Sequence, residues 1–133
     1  ETGFIDDEKL KTKADQIRQD LLCCAFEGGS NYWYRIDEFS YPAGMSRKDV
    51  EFPHLAVPFL KGGSLLISTG GDHPNPNRKD GKWTLNHAAL VKGWKLMHDE
   101  APRHYGDAIS ENSDADTGDV YLQLCLFGEV IFG

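Results

Sequence analysis

The chain has 133 residues, 40% of them hydrophobic, enough for one compact core and too few for two, so 1–133 reads as a single domain. Fourteen Lys and Arg stand against 21 Asp and Glu, a formal charge of −7. Duplex binding needs clustered cations in excess and a membrane span needs about 18 or more apolar residues in a row, so neither partner is expected.

Glu1-Thr2-Gly3 reads as a cloning remnant, and no charged-then-apolar leader follows it. From Asp6 to Glu27, Leu10, Ala14, Ile17, Leu21 and Cys24 recur at helical spacing, predicting an amphipathic helix that Gly28 or Gly29 ends in a left-handed conformation. Cys23, Cys24 and Cys125 form no CxxC pair and no even framework, so they read as small buried hydrophobes in a reducing compartment. Asn31 to Ile36 is aromatic-rich and predicts a strand with Tyr32, Tyr34 and Ile36 opposite Trp33 and Arg35.

Phe39 to Pro53 reads as a surface connection, and His54–Leu60 and Ser64–Thr69 as two strands joined by Lys61-Gly62-Gly63. Gly70 to Lys82 is too rich in Gly, Pro, Asn and Asp to be anything but a loop. Thr84 is the expected cap of a helix carrying Leu90, Gly93, Trp94, Met97 and Ala101, with Gly93 at a close contact and Pro102 kinking or restarting it. Asp116 or Thr117 is the expected cap of a last helix, Gly118 to Val130, which is apolar nearly all round and therefore buried in its own domain or in a partner. The fold class is α+β: an N-terminal helix, a small antiparallel sheet of about three strands, and two C-terminal helices packed on it.

Candidate chemistry lies in two places. Ser30, Asn31, Tyr32, Trp33 and Arg35 combine ring faces, hydroxyl and amide hydrogen bonds and one cation, the groups that a nucleotide-like ligand engages. In the loop, His73, Asn77, Arg78 and Lys79 beside Gly70-Gly71 offer N–H groups and cations to an anion, although no GxxxxGK[ST] or GxGxxG pattern is present. No HExxH or HxH spacing indicates a metal, and His87 and His98, on one helix, stand about 16 Å apart along its axis. Asp114, Asp116 and Asp119 open like a calcium loop, but Asp119 occupies the position that requires Gly and Cys125 the position that requires Glu. No catalytic residue, metal or cofactor is assigned.

Three segments, "EGGSNYW" at 27–33, "APRHYGDAI" at 101–109 and "DADTGDVYLQLCLFGEVIFG" at 114–133, resemble small uncharacterised phage- and prophage-encoded proteins that end in a Phe-Gly-Glu motif. The resemblance covers roughly a third of the chain and implies a viral accessory protein acting in the host-cell cytoplasm, with antagonism of host defence an association by company. The first expectation is a non-catalytic protein that sequesters a small anionic nucleotide-like ligand. The second is an acidic inhibitor that binds a host defence or nucleic-acid-processing protein, and the third a small hydrolase using His73 or His98 with Asp72 or Asp99. Apolar residues up to Phe132 need cover, either against the first helix or across a subunit interface, and a homo-oligomer, most simply a dimer, is expected.

Overall fold

The computed structural model describes residues 13–69 and 81–132. The expected helix start at Asp6 and the loop residues His73, Asn77, Arg78 and Lys79 lie outside the described residues. Helix α1, Lys13–Cys24, buries Ile17, Leu21 and Leu22 and widens into a π-helical turn, Ala25–Gly29. Left-handed backbone occurs at other glycines, not at Gly28 or Gly29. Gly29 is needed for space instead, because a side chain there would run into the carbonyl oxygen of Ala115.

The aromatic segment is a turn, not the expected strand: Trp33 and Tyr34 both donate backbone N–H to Ser30 O, at 3.0 and 3.3 Å. Strand β1 begins after it, Arg35–Ser40. The expected strand at 54–60 is also absent, replaced by the short helix α2, Pro53–Ala56, and a 3-10 turn, Val57–Phe59. Pro53 and Pro58 explain the correction, since each presets the first turn of a helix and neither can donate to a strand ladder. Strand β2, Ser64–Ser68, falls where expected, and β3, Lys82–Leu85, takes Thr84 into the sheet. Lys82 and Thr84 face out while Trp83 and Leu85 face in, an alternation that outweighs the capping tendency of Thr84.

The sheet is antiparallel with order β1-β2-β3. Ile36 pairs with Ile67 and Glu38 with Leu66, which leaves Asp37 as the extra residue of a bulge.

Three helices follow: α3, His87–Glu100; α4, Pro102–Ile109; and α5, Ala115–Phe127. Pro102 restarts the chain as expected. The caps are Asn86, accepting from Ala89 N–H at 3.0 Å, and Asp114, accepting from Thr117 N–H at 2.9 Å, not Thr84 and not Asp116 or Thr117. Left-handed Gly128 ends α5 three residues short of the expected stop at Val130.

Helix α5 is the centre of the domain, buried from Thr117 to Leu126 except for half-buried Val120. Gly118 abuts Leu21, Cys24 and Ala25 of the first helix and its turn, and Gly93 of α3 abuts Cys125 so closely that a Cβ would overlap the sulfur. Backbone therefore meets helix on both sides of α5. No helix among the described residues is long and apolar enough to cross a membrane.

Candidate functional site: a buried carboxylate under an aromatic turn

Asp119 lies on α5 and is 5% exposed, although its neighbours on that helix are nearly all apolar. Its carboxylate accepts four hydrogen bonds. Oδ1 receives Ser30 Oγ–H at 2.7 Å and Trp33 Nε1–H at 2.8 Å; Oδ2 receives the Tyr32 hydroxyl at 3.1 Å and Gln123 Nε2–H at 3.2 Å. All four donors are neutral, so among the described residues the carboxylate is met by aligned dipoles and not by an ion pair. A strand would send Tyr32 and Trp33 to opposite faces; the turn lets both reach one oxygen pair.

Gln123 extends the network by one helical turn. Its Oε1 accepts the backbone N–H groups of Ile131 and Phe132 at 2.7 and 2.8 Å, and its Nε2 also donates to Phe132 O at 3.1 Å. The segment after Gly128 thus folds back and lays the Phe132 ring parallel on Trp33, with centroids 5.1 Å apart and planes 6° from parallel. Phe127 packs on the same indole at 5.3 Å and edge-on against Trp83 at 4.7 Å. Tyr34 bonds Phe26 O at 2.9 Å, and His54 meets Glu27 at 3.2 Å, bracing the turn from its other end.

Of the residues singled out in the sequence, the structure brings Ser30, Tyr32 and Trp33 together. Ser30 and Trp33 are enclosed, while Tyr32 keeps 59% of its surface exposed at the rim. Burial of its hydroxyl, then the charge and hydrogen bond of Asp119, push the Tyr32 phenol up to about 12. Asn31 is exposed on the turn. Arg35 stands apart at the start of β1, where its guanidinium pairs with Asp37 at 3.0 Å. That bond, with help from Ser68 and Lys82, holds the Asp37 carboxyl below its ordinary value.

The other titratable groups do not join this centre. His98 bonds Asp99 at 2.9 Å on an exposed face beside Tyr105, and bonds from His98 and Lys95 hold the Asp99 carboxyl below its ordinary range. His104 meets the Thr117 hydroxyl at 3.2 Å, beside the Asp114 cap. Among the described residues no three His, Cys, Asp or Glu side chains gather as a metal would require. Two open clefts of about 570 and 540 Å³ lie elsewhere, one containing Lys61, Ser64 and His87, the other Arg103, His104 and Asp116.

Sequence reasoning missed Asp119, Gln123 and Phe132 as members of the centre. The available signal was polarity out of place: Asp119 and Gln123 stand four residues apart, on one face of a helix whose residues from 118 on are otherwise apolar. No family model, curated protein or solved structure matches the chain.

Proposed function

We propose that this protein is a non-catalytic binding protein that sequesters a small anionic nucleotide-like ligand, acting as a phage accessory protein against host defence in the host-cell cytoplasm. The observation that carries the reading is the centre in which Asp119 bonds the indole N–H of Trp33, the hydroxyls of Ser30 and Tyr32 and the amide of Gln123. Ring faces beside amide and hydroxyl groups of set orientation are the elements with which proteins hold nucleobases. With its oxygens engaged by four donors, Asp119 serves to hold these groups in place. The viral setting rests on the resemblance of segments 27–33, 101–109 and 114–133 to phage proteins.

A second reading, an acidic inhibitor of a host protein, is favoured by one surface. Among the described residues β1 is an edge strand, and its Phe39, 38% exposed, stacks on Tyr41 at 6.2 Å, in a chain of net charge −7.

Native mass spectrometry of the purified protein, before and after heat release of bound molecules, separates the two. A retained, chemically unaltered nucleotide is the expected outcome, and the same spectrum reads the proposed homo-oligomer. An altered product makes the protein an enzyme; an empty protein removes sequestration and leaves the inhibitor.

A further inference from the structure

We propose that Phe132 and its backbone edge occupy a cryptic site for a purine-type base, which opens when segment 129–132 swings away about Gly128. The inference rests on the sequestration reading and names the ligand's recognition group and its gate. Two features of the contact match a base. The Phe132 ring lies on Trp33 in parallel, offset stacking, the arrangement a base takes on an indole. Beside it, Gln123 presents an acceptor and a donor together, taking N–H bonds from Ile131 and Phe132 on Oε1 and giving one from Nε2 to Phe132 O. Adenine offers a matching edge, an amino hydrogen next to a ring nitrogen, and a Gln amide reads it with both atoms.

The site keeps its shape without the segment. Asp119 holds Trp33 Nε1 at 2.8 Å and Gln123 Nε2 at 3.2 Å through bonds in which the segment takes no part, so both reading groups stay oriented when it leaves. Segment 129–132 has no regular structure, Glu129 and Val130 are exposed, and Gly128 is left-handed with open space around it. Leaving gives up three hydrogen bonds, the stack on Trp33 and the ring contacts of Phe132 with Tyr32 and Phe127, of which the base returns two hydrogen bonds and the stack, so the closed form predominates in the free protein. Apparent affinity is then the intrinsic affinity multiplied by the open fraction, and loosening the segment raises it.

Adenosine is the probe, titrated into the full chain and followed by Trp fluorescence and calorimetry, with purine riboside, which lacks the amino donor, as comparison. Phe132→Ala removes the competing ring, and Ile131→Pro removes one N–H bond to Gln123 while keeping the ring. Each is expected to bind adenosine at least about tenfold tighter than the parent chain and to prefer it over purine riboside. Adding Gln123→Met to Phe132→Ala should erase that preference. Circular dichroism and protection of the Cys125 thiol identify a variant that has unfolded, and the other variant then carries the comparison. If the parent chain binds adenosine and neither variant binds it more tightly, the gate is overturned and sequestration stands. If no form binds it while a different nucleotide is released from the purified protein, the purine-type assignment falls alone; if no form binds and nothing is released, both readings fall.

Discussion

A carboxylate removed from water survives only when its lone pairs are engaged, and Asp119 meets that condition with four neutral donors drawn from the turn and from its own helix. Asp119→Ala strands the Ser30 hydroxyl and the Trp33 N–H in an enclosed place; two orphaned donors predict a loss of about 3–5 kcal/mol in chemical denaturation. Asp119→Asn keeps one oxygen but turns an amide N–H₂ toward Gln123 Nε2 or Trp33, predicting a smaller loss of about 1–3 kcal/mol. Equal stability of the parent and Asn forms would show that the charge contributes nothing. Tyr32 gives the centre a pH signature. The phenol titrates near 10.0 when unfolded and at about 12 in the fold, so the stability it adds is complete below pH 10 and is lost as pH rises toward 12. Tyr32→Phe should remove that alkaline component from the pH dependence of unfolding. Burial likewise pushes the Cys125 thiol up to about 12, so with thiolate as the reactive form it should resist alkylation at neutral pH until the chain unfolds, and labelling of the native protein at Cys125 would contradict this.

Among the elements, α5 depends on its neighbours' lack of side chains. Gly93→Ala places a methyl group on the Cys125 sulfur and Gly118→Ala places one on the Leu21 carbonyl and the backbone of Ala25. The helices must separate to admit either, at about 1–3 kcal/mol each, more than an Ala should return in helix propensity. A gain in melting temperature for either variant would refute the close approach. The helical rhythms of α1 and α3 were legible because about 3.6-residue spacing is written in the chain itself, and α5 was legible as a long run apolar nearly all round. Strand β3 is written in the alternation of Lys82, Trp83, Thr84 and Leu85, which the reading of Thr84 as a cap and Lys82 as loop left out. The aromatic turn was misread for a similar reason. Tyr32, Trp33 and Tyr34 have strand propensity, and nothing local indicates that Asp119 will bend them back.

For the whole molecule, one helix sits inside and the other elements wrap it, so unfolding should be read differently along the chain. Amides of α5 from Tyr121 to Leu126 should exchange hydrogen only at the rate of global unfolding, because their side chains line the core. Amides of Glu129 and Val130, exposed and outside any helix, should exchange orders of magnitude faster by local opening. Uniform exchange over residues 121–130 would mean that the last segment is as firmly built as the helix before it, and would leave no gate.

The amino-acid sequence by itself determined the α+β class, the buried character of the last helix, the tight place at Gly93 and the break at Pro102. These follow from periodicity, composition and the covalent geometry of Gly and Pro, all readable within about one helical turn of the residue concerned. Only the tertiary structure decided that Ser30, Tyr32 and Trp33 meet Asp119 across separations of 86 to 89 residues, and that Gln123 holds the segment carrying Phe132 against Trp33. Donors are matched to an acceptor only when packing brings them within about 3 Å, and no local pattern records which distant partner that will be.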